Sequence, residues 1–275
     1  MPLPSDFQFS QGSLQDFADC PWRFYLRYVK GLSWPAVEAE PALEHEQHLE
    51  QGADFHQLIH RHVLGVSTEQ LSTVISEANL RQWWLNFLEQ GPDDLPGRHF
   101  PEIVLSAPLA RHRLMAKYDL LAVDPSARGV ILDWKTYHQR RSREWLAGRL
   151  QTRVYPYLLV RAGSHLNDGR PFEPSAVEMI YWFANFPDRP ERFQYGTERY
   201  REDETYLRSL IEEIKALSDA EFELTEDDRH CRFCPYRSLC RRGIQAANFL
   251  KAEEDWEAVE PGISLDFEQV AEIEY

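Results

Sequence analysis

The sequence predicts an α/β protein with a mixed central sheet flanked by helices. Two observations predict it. Strand-like runs "EIVLSAPLA", "HRLMAKYDLLAV" and "GVILDWKT" follow one another from Glu102, and a fourth, "AVEMIYWFA", comes after a helical stretch. Amphipathic helical spacing, such as Phe55, Ile59 and Val63, holds on both sides of these runs.

Taken in order, Ser13 can cap a short helix running to about Asp19, and Pro21 suits the first position of a second helix through Tyr28. Residues 34–50 are acidic, hold two prolines and read as a linker leading into a helix over 52–64. Residues 68–90 form one long helix or a pair, and "GPDDLPGRH" breaks the chain. Three meandering strands follow, with "DPSARG" as a hairpin turn between the second and third. A helix from Ser142 to about Arg161 stops at Gly163. A strand over 176–184 and a helix over 200–217 complete the core. We expect a single domain over residues 1–250, with a core at about 52–184, chain ends at 13–30 and 229–243, and a separate tail at 251–275.

The 275 residues suffice for a real hydrophobic core. With no run of about 18 apolar residues, no membrane partner is expected, and no secretory leader is visible, so a cytoplasmic location is expected. The four cysteines fall at the two ends: Cys20 alone, then Cys231, Cys234 and Cys240 as C-x2-C-x5-C. In a reducing compartment such a pattern suggests a metal site rather than disulfides. Cys20, 211 positions before Cys231, is the remaining candidate for a fourth ligand, tying the two ends together.

The net charge of −15 argues against nucleic acid when read as a sum. Its distribution says otherwise. Residues 251–275 hold one Lys against nine Asp or Glu, whereas 135–153 hold six Lys or Arg against Glu144. Residues 229–242 hold five Arg and no acid, and 20–30 hold three basic residues and no acid. Aromatic residues interleave with the basic ones near the cysteines, so Arg23, Arg27, Arg232 and Arg237, with Arg140 and Arg141, are candidates for nucleic-acid contact, while Phe24 and Phe233 read better as packing.

Asp119 ends a strand, and Asp133 and Lys135 lie two apart on the next, so they face the same side. Two carboxylates and an ammonium suit phosphodiester hydrolysis. Hard oxygens hold Mg2+ or Mn2+, the ion activates a water, and the lysine orients or deprotonates that water. Alone, a D-x-K pair is often only a surface Asp and Lys.

The combination resembles the PD-(D/E)XK nuclease superfamily in its RecB-like branch, with its restriction-endonuclease-like core. The strands carrying Asp119 and Asp133-Trp134-Lys135-Thr136 match that core, "GADFH" its helix with His56, and "LQTRVYPYLL" its Q-x-x-x-Y helix with Gln151 and Tyr155. The resemblance implies a metal held by His56, Asp119, Asp133 and the Trp134 carbonyl, with Lys135 serving the water and Gln151 and Tyr155 positioning substrate. The cysteine pattern resembles iron–sulfur members such as AddB-type helicase–nucleases and CRISPR adaptation nucleases. It implies a structural [4Fe–4S] cluster on Cys20, Cys231, Cys234 and Cys240. Ala116 stands where the family often has glycine, the element around Glu102 is looser and gives it a supporting role at most, and no helicase motif is present.

The expected activity is metal-dependent DNA hydrolysis, as an exonuclease on single strands or free ends, in repair, recombination or defence, alongside a separate helicase or repair complex. Other readings stay open at this level. Four thiolates also suit Zn2+, and His56 can be a satisfied core histidine. A zinc pair of His56 and His60 lacks the glutamate that a zinc protease needs, since Gln57 stands there. A non-catalytic nucleic-acid-binding or assembly subunit is the rival from another class, and a zinc-binding regulatory protein leaves the D-W-K strand unexplained.

Overall fold

Two sheets and two hydrophobic cores organise the chain. The computed structural model describes residues 3–4, 6–32, 40–125, 128–232, 234–240 and 242–243, with backbone alone for 40–47 and 49. The acidic tail, Phe233, residues 34–39 of the expected linker and two residues of the hairpin turn lie outside the described residues.

Strand β1 (Gln8–Ser10) leads into helix α1 (Gln11–Asp19). Ser10, not Ser13, is its cap: each serine side chain accepts from the other's amide, a reciprocal capping box. Pro21 opens α2 (Pro21–Phe24) as expected, and a π-helical turn continues it over Tyr25–Val29. Helix α3 (Glu40–Val63) starts well before residue 52, so residues 40–50 are helix rather than linker. Pro41 is no obstacle there, because a helix start has no amide bond for proline to remove. The 68–90 segment is a pair, α4 (Thr68–Thr73) and α5 (Ala78–Gln90).

The strand-like run at 112–123 divides. Its first part is β4 (His112–Lys117), which pairs with β1 and β3 (Val104–Leu109) in a three-stranded sheet of order β1-β4-β3. Its second part is β5 (Leu120–Asp124), in a five-stranded sheet with β2 (Arg98–Pro101), β6 (Arg128–Lys135), β7 (Val177–Phe183) and β8 (Glu191–Gln194), order β2-β5-β6-β7-β8. One meander is therefore two sheets hinged at Tyr118 and Asp119. β6 and β7 run parallel and the other pairs of this sheet antiparallel. A parallel pair needs a crossover, supplied by α6 (Arg143–Gly148) and α7 (Leu150–Ala162), where the sequence predicts one helix. Helix α8 (Thr197–Ala216) begins three residues before its expected start.

Alternation along the strands sends side chains to two cores. Leu121, Ile131, Met179 and Phe183 face α7, α1 and α8, whereas Leu120, Leu132, Trp134 and Trp182 face Phe55, Ile59, Trp83 and Trp84 of α3 and α5. Asp133 and Lys135 share the face of Ile131, which puts them under α7.

Residues 22–32 meet residues 222–236 through backbone and aromatic contacts. The Trp22 amide donates to the Glu223 carbonyl at 3.0 Å, and the Tyr236 hydroxyl donates to the Leu32 carbonyl at 2.9 Å. Phe24 and Tyr25 stack on Phe222. Among the described residues, no helix is long and apolar enough to cross a membrane.

Candidate active site and cysteine cavity

Asp119 stands in the gap between β4 and β5, where the two sheets part. One of its carboxylate oxygens accepts from the Trp134 amide at 2.9 Å, and the other lies 3.2 Å from His56 Nδ1. His56 Nε2 lies 3.0 Å from the Trp134 carbonyl oxygen. Gly52, one turn before His56, lets α3 come this close. A Cβ there would lie 3.1 Å from Thr136 Oγ1 at the end of β6.

Glu102 joins the group. It follows β2 with φ 56°, a left-handed conformation uncommon outside glycine, and its amide donates to the Asp119 carbonyl at 3.1 Å. Its carboxylate pairs with Lys117. The ligand atoms of His56, Glu102 and Asp119 all lie within 4.8 Å of one another, and all three residues are half-buried. Desolvation pulls the His56 pKa down, but the adjoining Asp119 carboxylate more than offsets it and raises it to about 9. Burial pushes the Asp119 carboxyl up, yet His56, the Trp134 amide and Lys135 hold it below the usual carboxylate range.

Asp133 and Lys135 form the second half of the site. Lys135 Nζ lies 2.9 Å from Asp133 Oδ2, and Gln151 Nε2 donates to Asp133 Oδ1 at 2.5 Å. Both residues are buried, at 3% and 6% exposure. The Asp133–Lys135 pair is therefore not a surface pair: α7 covers this face of the strand. The charges of Asp133 and Lys135 still act on His56, so the two halves adjoin. Gln151 is also buried and faces Asp133. Tyr155 is buried against Tyr118, whose hydroxyl donates to the Tyr155 carbonyl at 2.8 Å.

At the other end of the fold, Cys20, Cys231, Cys234 and Cys240 line one cavity, together with Arg23 and Arg242. Among the described residues, no three of the cysteine sulfurs lie within 4.8 Å of one another. Burial raises the thiol pKa of Cys231 and Cys240, and pushes that of Cys234 to about 12 although nearby Arg23 opposes it.

A family model described as the PD-(D/E)XK nuclease superfamily matches residues 8–241. The chain belongs to the PD-(D/E)XK nuclease superfamily. This nuclease hydrolyses phosphodiester bonds, and its family works with divalent metal ions. Similar solved structures include a protein from Eubacterium rectale described as "Putative exonuclease", 12% identical with TM-score 0.48, covering 80% of this chain and 85% of that one. Another is SSO0001, 11% identical with TM-score 0.38, covering 85% of each chain. No curated protein matches the chain.

Of the residues expected to hold a metal, His56, Asp119 and the Trp134 carbonyl adjoin one another, Glu102 joins His56 and Asp119, and Asp133 is turned toward Lys135 and Gln151. The sequence signal for Glu102 was weak because its position depends on the bend between β2 and β3, not on strand spacing. The donors suit a hard divalent ion: carboxylate oxygens and one imidazole. Asp119→Asn in this nuclease is expected to weaken Mn2+ binding about 10- to 100-fold, in line with losses seen when groups supporting a metal site are removed. Calorimetric titration without DNA measures it, and an unchanged affinity would remove Asp119 from the site.

The arginine expectations fare unevenly. Arg23 is buried between Asp16, at 2.9 Å, and Asp19, at 2.6 Å, so it serves the fold rather than a phosphate. Arg27 pairs with Asp16 and Arg140 with Glu191. Arg141 is buried with its guanidinium over the Tyr137 and Trp145 rings. Arg232 is exposed, and Arg237 donates to the Arg232 carbonyl at the rim of the cysteine cavity.

Proposed function

We propose that this nuclease cuts DNA at single strands or free ends, as an exonuclease of the RecB-like branch, using Mg2+ or Mn2+. The observation that carries the reading is the contact of His56 with both Asp119 and the Trp134 carbonyl, beside the Asp133–Lys135 pair. His56, Asp119, Asp133 and the Trp134 carbonyl would hold the ion, with Glu102 as a further donor. A divalent ion held there would supply Lewis acidity toward a phosphoryl oxygen and a water. Lys135 would orient that water and offset developing negative charge. Gln151 holds the Asp133 carboxylate, and Tyr155 holds the helix that carries Gln151. Arg232, exposed beside the cysteine cavity, is the arginine best placed to meet phosphate.

The second proposed centre is a structural [4Fe–4S] cluster on Cys20, Cys231, Cys234 and Cys240. All four cysteines line one cavity, which supports a group that they share. Arg23 and Arg242 offset the negative charge of four thiolates, Arg242 with Nη1 4.0 Å from Cys231 Sγ. Residues 1–250 act as one domain in the cytoplasm, in repair, recombination or defence, beside a separate helicase or repair complex.

Protein prepared without oxygen is expected to degrade end-labelled single-stranded DNA in Mg2+ or Mn2+. The activity should weaken as salt rises, because phosphate contacts release counterions. Cutting that persists undiminished in excess EDTA would contradict the reading, and a preference for intact closed duplex would overturn the substrate.

A further inference from the structure

A line of buried hydrogen bonds joins the cysteine cavity to Asp133, and Gln15 is its midpoint. Arg23 lines the cavity, and its Nη2 donates to Asp19 Oδ2 at 2.6 Å. Asp19 Oδ1 accepts from Gln15 Nε2 at 2.8 Å. Gln15 Oε1 accepts in turn from the Leu150 amide at 3.0 Å. Leu150 is the first residue of α7, whose own cap, Arg149, contributes no side-chain hydrogen bond to the helix start. The next residue is Gln151, which donates to Asp133. Arg23, Asp19, Gln15, Leu150, Gln151 and Asp133 are all buried.

The chemistry of this link selects glutamine. The Leu150 amide is one of the helix-start donors that α7 cannot satisfy internally, and α1 supplies its acceptor across the core. The same side chain must donate to a carboxylate that is already fixed by Arg23. An amide does both at once, a carboxylate only accepts, and an alkyl chain does neither.

We propose that Gln15 is a positioning residue for the catalytic site: it pins the first turn of α7, and through Gln151 the Asp133 carboxylate, to the cysteine-lined end of α1. A disturbance of the cysteine cavity then reaches the metal site by way of Arg23, Asp19 and Gln15. The inference rests on the reading that Asp133 is a ligand of the catalytic ion.

Full-length protein is titrated with Mn2+ in the calorimeter, without DNA, and assayed separately on a labelled single strand. Gln15→Met is expected to weaken Mn2+ binding about 10- to 100-fold, the range for groups that orient metal ligands. It should lower kcat while leaving KM for DNA and the metal content of the cysteine site unchanged. A role confined to packing would instead lower the melting temperature and leave the Mn2+ affinity of the folded protein intact. Gln15→Glu keeps an acceptor for the Leu150 amide but sets a second carboxylate against Asp19, so it is expected to recover little of the lost affinity. If Gln15→Met fails to fold, Gln15→Asn, too short to span Asp19 and Leu150, carries the same expectation.

Coupling to the cavity is read from a double-mutant cycle. Cys231→Ala should weaken Mn2+ binding in the parent and add little in the Gln15→Met background, because contacts in one network are not additive. Parent-like Mn2+ affinity in a folded Gln15→Met or Gln15→Asn protein, or full additivity with Cys231→Ala, overturns the proposal. Asp133→Asn separates the two levels: if it still binds Mn2+ and cuts, the catalytic reading itself fails. If it does neither while the Gln15 variants match the parent, only the link fails.

Discussion

Lys135→Ala is expected to stop DNA cutting and, in metal-free protein, to destabilise the fold. Lys135 and Asp133 form a buried pair at 2.9 Å, with the ammonium above the Tyr137 and Tyr181 rings. Removing one partner of a buried pair leaves an uncompensated charge and costs about 3–5 kcal/mol. The Gln151 hydrogen bond remains to Asp133, which places the expected loss at the lower end of that range. In a chain of this size each kcal/mol lowers the melting temperature by about 2–4 °C, so a fall on the order of 10 °C is expected. A divalent ion returns positive charge beside Asp133. Mn2+ should therefore raise the melting temperature of Lys135→Ala more than that of the parent. Cutting should fall about 10²- to 10⁴-fold, the usual contribution of a positioned proton-transfer group, while iron content stays at the parent level. Thermal melts with and without Mn2+, alongside the cleavage assay, check all of this. Parent-level cutting would remove Lys135 from the mechanism, and equal Mn2+ shifts in the two proteins would show that the ion does not sit beside Asp133.

The burial behind this outcome is not carried by the strand spacing, and the reason is physical. The two-residue period of a strand puts Asp133 and Lys135 on one face, and the structure agrees. Which face is covered depends on how α7 returns over the sheet, a tertiary fact that no local pattern carries. The same holds for Glu102, whose place among the ligands comes from a left-handed turn between β2 and β3. It holds too for Arg23, whose partners Asp16 and Asp19 are close in sequence but whose burial comes from distant packing. Gly52 and His56 were legible only through the resemblance of "GADFH" to the family's helix element; the close approach of α3 to Thr136 that Gly52 permits is a tertiary fact. The division of residues 112–123 between two sheets was not, since no glycine or proline marks Tyr118 and Asp119 as a hinge.

Cys20→Ala is expected to empty the cysteine cavity, lower stability and reach the Asp133 site only indirectly, through Asp19 and Gln15. Cys20 sits in extended backbone between α1 and α2, 211 positions before Cys231, and both line the cavity. A cross-link closing a loop of that length contributes about 5 kcal/mol in the chain-entropy model, as an upper value. That is comparable with the roughly 5–15 kcal/mol that holds a whole domain. The contacts Trp22–Glu223, Leu32–Tyr236 and Tyr25–Phe222 also hold the ends together. The variant should therefore fold but melt well below the parent. Parent protein purified without oxygen should be brown with about four irons per chain, and Cys20→Ala should lose both colour and iron. Cutting should fall as well, because α1 would lose its anchor at Cys20 and with it the fixed position of Asp19 and Gln15 behind α7. Full iron in Cys20→Ala would show that Cys20 is not a ligand and end the clamp. Stoichiometric zinc without iron in the parent, from cells supplied with iron, would keep the clamp and replace the cluster. Loss of iron with an unchanged melting temperature would show that the aromatic and backbone contacts alone join the two ends.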